Sequence, residues 1–138
     1  MHCVLDSSAA LAWILPGEHT SATDQLLADV GEHGAIVPAL WPIETANVLL
    51  TAERRGRITL AERTQALGIL QEMPIDVDDR TASLAFSAIS GLAAARHLTV
   101  YDACYLELAL RLDLPLASLD AQLRQAAQQA GVRVLPAM

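Results

Sequence analysis

The sequence contains no lysine: its nine basic residues are all arginine, set against sixteen Asp and Glu for a formal charge of −7. That absence excludes every chemistry that needs a lysine amine, including the P-loop, a Schiff base and the Asp-and-Lys phosphoacceptor site of response regulators. The acid surplus argues against loose, charge-driven binding of nucleic acid, because phosphate affinity comes from cationic contacts. Any contact with nucleic acid therefore has to be local. Cysteine is scarce too. Cys3 and Cys104 both lie in apolar segments, no CxxC or Cys/His cluster is present to bind zinc, and buried free thiols are expected. No apolar stretch approaches the roughly 18 residues of a membrane span. The opening MHCVLDSSAALAWILP lacks a basic stretch and is interrupted by Asp6, so it does not read as a secretory signal. A cytoplasmic protein without membrane attachment is expected. With 53% hydrophobic residues, seven Gly and six Pro, disorder and low-complexity linkers are excluded.

What is present is enough for one domain spanning residues 1–138. Area scaling gives about 7,000 Å² of folded surface against about 21,000 Å² unfolded, so about two-thirds is removed from water. His2 to Leu5 reads as a strand, Asp6-Ser7-Ser8 as a helix start, and Ala9 to Leu15 as a helix closed by Pro16-Gly17. Helical spacing recurs from Thr20 to His33, and Ala35 to Val37 is a second strand. Leu40 to Arg54 is a helix, and the capping-box spacing of Thr59 and Glu62 opens another that runs to about Glu72. Ile75 to Val77 is a third strand. Helices follow over Arg80 to Arg96 and Thr99 to Leu112, then a strand over Leu114 to Ser118, a helix over Asp120 to Ala130 and a last strand over Val132 to Leu135. Short strands alternating with helices describe an α/β fold: a parallel sheet with helices on both faces, in three layers.

In open parallel sheets, ligands bind beyond the carboxyl ends of the strands. Asp6 follows the first strand and Asp120 follows the fourth, while Asp102 and Glu44 lie near the starts of helices. Asn47, the only Asn, is three residues beyond Glu44 and on the same helix face. Asp6, Asp102 and Asp120 all occupy first-turn or N-cap positions, where Asp is favoured for backbone and dipole reasons alone, so each taken singly also reads as a cap. Glu44 has no such explanation. It sits among Leu40, Trp41, Pro42, Ile43 and Ala46, and is either on a solvated stripe or held by a cation. GxGxxG, GxSxG and HExxH are absent, which removes dinucleotide binding, the hydrolase elbow and zincin sites. Ser8 stands where a haloacid-dehalogenase phosphatase needs its second acid. The four histidines are scattered, and Trp13 and Trp41 read as core residues.

The segments VLDSSAALAWIL, PALWPIETANVLL and LTVYDACYLELALRLDLPLASLDAQLRQAA closely resemble, in order and spacing, the PIN-domain family, specifically the VapC-type toxins of bacterial toxin–antitoxin pairs. The resemblance implies a PIN-like α/β/α domain. It also implies that Asp6, Glu44, Asp102 and Asp120 form an acidic quartet that binds Mg²⁺ or Mn²⁺ for cleavage of single-stranded RNA. Ser7 or Ser8, Asn47 and Ser118 match supporting polar positions. Two departures stand out: Ser118 replaces the more usual Thr, keeping the hydroxyl, and Asp113 stands where a Gly commonly ends the helix.

Hard divalent cations prefer oxygen ligands and can activate a phosphodiester without any Lys, Cys or His, so the chemistry suits these residues independently. Arg54, Arg55 and Arg57, the densest basic cluster, either guide the RNA backbone or form an ordinary solvated helix end. The resemblance further implies a homodimer and a cognate antitoxin protein. Two rival readings are a non-catalytic PIN-like module that binds RNA or protein, and a metal-dependent phosphatase.

Overall fold

The computed structural model describes residues 1–137. The chain alternates as β1 (Cys3–Leu5), α1 (Ser7–Ala12), α2 (Ser21–His33), β2 (Ala35–Pro38), α3 (Leu40–Arg54), α4 (Leu60–Glu72) and β3 (Ile75–Asp78). It continues through α5 (Thr81–Leu84), a π turn (Ala85–Ile89), α6 (Ser90–Arg96), α7 (Val100–Leu112), β4 (Leu116–Ala117), α8 (Ala121–Gln129) and β5 (Val134–Leu135). The five strands form one sheet in the order β3-β2-β1-β4-β5, every pair parallel. This is the expected α/β architecture.

The order matters for function. The chain leaves the central strand β1 to build β2 and β3 on one side, then returns to build β4 and β5 on the other. The crevice at the carboxyl ends of β1 and β4 is thus a topological switch point, where α/β sheets bind their ligands. Right-handed crossovers put α1 to α4 on one face and α5 to α8 on the other. Accordingly α3 packs on β2, α1 and α4, whereas α7 packs on β1, β2 and β4. Because α7 leads into β4, its N-terminus lies at the carboxyl edge of the sheet.

The core explains why these segments hold. Cys3, Val4 and Leu5 are fully buried in one core cluster with Leu106, Leu108, Leu116 and Leu123. A second cluster, Leu11, Leu15, Leu49, Ala52, Ile58 and Ala66, joins α1, α3 and α4. Both cysteines are buried, as expected, and burial pushes the Cys3 thiol up to about 12 and that of Cys104 to about 11. Trp41 is in the core, and half-buried Trp13 donates Nε1–H to the Thr23 carbonyl at 2.9 Å. Asp113 ends α7 in the left-handed region at φ 54°, a conformation that Gly adopts freely and Asp tolerates.

Some boundaries differ from expectation. The fourth and fifth strands contract to two residues each, Leu116–Ala117 and Val134–Leu135. The helix expected from Arg80 to Arg96 contains the π turn, with Phe86 fully exposed on it. α1 begins at Ser7 and ends at Ala12, earlier than expected at both ends, with Asp6 as its N-cap residue.

Candidate active site

Asp6 stands at the end of β1, only 5% exposed. Its Oδ2 accepts from Ser8 Oγ at 2.6 Å and from Ser118 Oγ at 2.8 Å. Those hydroxyls also bind the neighbouring loop: Ser8 Oγ accepts from Leu119 N at 2.9 Å, and Ser118 Oγ from Asp120 N at 3.1 Å. The ends of β1 and β4 are thereby laced together through two serines. Ser7 opens α1 and is half-buried beside Asp6.

The three aspartates differ in whether they cap their helices. Asp6 occupies the N-cap position of α1, yet its side chain makes no capping hydrogen bond. Asp102 is in the first turn of α7, but the cap is Thr99, whose Oγ1 accepts from Asp102 N at 3.1 Å. Only Asp120 is a side-chain cap, its Oδ2 accepting from Leu123 N at 2.8 Å. A side-chain capping bond therefore accounts for Asp120 and not for Asp6 or Asp102, although Asp102 keeps the first-turn position that the helix dipole favours.

Glu44, on α3, is half-buried, and Tyr105 Oη donates to its Oε1 at 2.9 Å. Burial is the main force raising the Asp6 carboxyl above its ordinary range; Glu44 adds to it and the serine hydroxyls oppose it. Asp102 is raised to about 6, first by burial, then by the charges of Asp6, Asp120 and Glu44. The four acids thus share one field, and none forms a salt bridge among the described residues.

No three of the described His, Cys, Asp and Glu side chains close into a ready-made ligand cage. Mg²⁺ takes only one or two carboxylates beside waters and phosphate oxygens. The donor set fits such a cation. It is oxygen throughout, the two serine hydroxyls converge on one oxygen of Asp6, Tyr105 holds one of Glu44, and charge is left unbalanced.

Asn47 is exposed and outside this network. With Arg55 and Arg57 it lines a cleft of about 290 Å³ along α3, bordered also by Leu15. Arg54 is exposed beside it, and Arg57 pairs with Glu18 at 3.7 Å. A larger cavity of about 700 Å³ lies between α3, α4 and β3, and none of the four acids lines it.

Sequence reasoning missed two side chains that organise the site. Tyr105 reads as core in the apolar run ACYLELAL, although its place one helical turn after Asp102 was a usable signal. Arg124, one turn after Asp120, donates Nη1 to the carbonyls of Ser118 at 2.8 Å and Leu135 at 3.2 Å, and Nη2 to that of Pro136 at 2.9 Å.

A family model described as PIN domain matches residues 3–129. The chain is 29% identical to Ribonuclease VapC3 of Pyrobaculum aerophilum over 125 residues, 91% of this chain and 94% of that protein. The crystal structure of PAE2754 from Pyrobaculum aerophilum superposes with a TM-score of 0.71 at 22% identity, covering 98% of this chain and 90% of that one, and so shares its fold.

Proposed function

Because the chain belongs to the PIN-domain family, we propose that it is an endoribonuclease, hydrolysing phosphodiester bonds of single-stranded RNA with Mg²⁺ or Mn²⁺, and that it acts as the toxin of a toxin–antitoxin pair. One observation carries the reading: buried Asp6 ends β1 at the switch point of the sheet, its charge and those of Glu44 and Asp120 act on Asp102, and no salt bridge among the described residues balances any of the four. Likeness to a ribonuclease supports RNA as substrate.

Asp6, Glu44 and Asp102 would hold the cation, with Asp120 taking a smaller share because one of its oxygens caps α8. When bound, the cation supplies Lewis-acid polarisation of the phosphodiester and offsets charge that develops during hydrolysis. The protein's own part is placement. Ser8 and Ser118 fix Asp6, so the most buried acid cannot turn away from the crevice. Arg54, Arg55 and Arg57 would guide the RNA backbone past Asn47 toward the acids.

A homodimer and an antitoxin belong to the same reading. An antitoxin Arg suits the acidic groove, since guanidinium pairs well with clustered carboxylates. Exposed Phe86, Val100 and Tyr101 offer apolar surface for association. No helix of the described residues is long and apolar enough to cross a membrane, and a cytoplasmic location suits an RNA substrate.

The test is purified protein with labelled RNA. Cleavage is expected with Mg²⁺ or Mn²⁺ and none in EDTA. Undiminished cutting in excess chelator would sink the metal reading. RNA binding without cutting under any metal would favour the non-catalytic module, and hydrolysis of small phosphomonoesters alone would favour the phosphatase.

A further inference from the structure

Tyr105 is only 1% exposed and sits on α7 one turn beyond Asp102. A buried phenol normally finds a partner for its hydroxyl, because leaving a buried donor unpaired is costly. Here the partner lies on another element: the hydroxyl reaches from α7 to Glu44 on α3, the one side-chain hydrogen bond between those helices among the described residues. Glu44 has no other side-chain hydrogen bond and no salt bridge among them. It also shares the field of Asp6 and Asp102, whose charges repel its own. On its two-methylene arm, a half-buried glutamate under that repulsion would rotate into water unless something held it. The phenol is the group that holds it, through a charge-assisted bond that is stronger than a neutral one.

We propose that Tyr105 is a positioning residue: its hydroxyl keeps Glu44 in the acid cluster, so that the other Glu44 oxygen stays available to a divalent cation. The assignment rests on the metal-dependent reading above. It differs from a packing role, since Phe fills the same core space without the hydroxyl. Outer partners of metal ligands, when removed, typically cost about 10- to 100-fold in metal affinity or activity.

The test is Mn²⁺ binding to the full chain, read as loss of the free-ion electron paramagnetic resonance signal. The proteins compared are wild type, Tyr105→Phe, Glu44→Gln and the double variant, each checked by thermal unfolding in EDTA. Tyr105→Phe should bind Mn²⁺ about tenfold more weakly or worse. It should add nothing in the Glu44→Gln background. Its kcat on RNA should return toward wild type at saturating Mn²⁺, with KM for RNA unchanged. Equal Mn²⁺ affinity in wild type and Tyr105→Phe overturns the proposal while leaving the metal site standing. An undiminished loss in the Glu44→Gln background also overturns it, because the phenol would then act elsewhere. Loss of the fold in Tyr105→Phe would assign the hydroxyl to stability and equally defeat it. A wild type that takes up no Mn²⁺ brings down the metal reading itself, and the proposal with it.

Discussion

Asp6 and Asp102 are carboxyl groups that the fold makes reluctant to ionise, and the consequence can be measured without any RNA. For Asp102 the carboxyl rises from 3.8 to about 6, chiefly by burial and then by its acidic neighbours. A folded state that holds its proton more tightly than the unfolded chain is penalised once that proton leaves. The penalty is absent below the unfolded value, grows between the two, and is complete above the folded one. Metal-free protein should therefore melt higher at about pH 5 than at about pH 7, as far as this group decides. The Asp78–Arg111 pair works oppositely, but it lowers the Asp78 carboxyl and so loses its contribution only below the ordinary carboxylate range. Asp102→Asn should raise the melting temperature in EDTA at neutral pH and shrink its pH dependence, while abolishing cleavage in Mn²⁺. Asp6→Asn should likewise melt no lower than wild type in EDTA and cut no RNA. An Asp6→Asn protein that melts lower and still cuts would return Asp6 to an ordinary helix start. These residues were legible in the sequence because their places relative to strand and helix ends are local facts. Tyr105 was not, since nothing in ACYLELAL distinguishes a core phenol from one that meets a carboxylate sixty-one positions away.

Among elements, the weakest local signals belong to β4 and β5, two residues each. Two-residue strands exist because partners in the sheet satisfy them, and no propensity window of that length can set their ends. The same holds for the π turn, a departure in hydrogen-bond register that its residues do not announce. The Thr20 capping box was missed for a different reason: Thr23 closes it where Glu or Gln is usual, whereas Thr59 and Glu62 form the box their spacing predicts. What ties the short strands down is Arg124 on α8, whose guanidinium gathers carbonyls from the ends of both. Arg124→Met keeps much of the aliphatic stem and removes three donated bonds. Hydrogen bonds that involve a charged group contribute about 1.5–3 kcal/mol each in favourable cases, and the freed carbonyls partly rehydrate, so a total loss of about 2 kcal/mol is expected. Chemical denaturation would read it as a lower midpoint at an unchanged slope. A midpoint within error of wild type would show that the carbonyls find water equally well.

At the scale of the whole molecule, a formal charge of −7 sets a condition on any RNA-binding reading. The general field repels a polyanion, so affinity has to come from a cation at the acid cluster and from local arginines. Arg54, Arg55 and Arg57 are exposed at the end of the helix that carries Glu44, and two of them line the cleft with Asn47. Arg57 is partly engaged by Glu18 at 3.7 Å, an exposed pair of the kind that contributes little and yields easily to a phosphate. Each phosphate contact on a single strand contributes about 0.7 to the slope of log affinity against log salt. If all three arginines touch backbone, replacing them together by Gln should flatten that slope by about 2 units; if Arg57 stays with Glu18, by about 1.4. The measurement is RNA affinity across a salt series with Asp6→Asn in every protein, so that no substrate is consumed. Mn²⁺ is held constant, so that its competition with salt is common to both slopes. An identical slope with and without the arginines would make the cluster a solvated helix end and leave the cation as the only attraction an acidic protein offers its RNA.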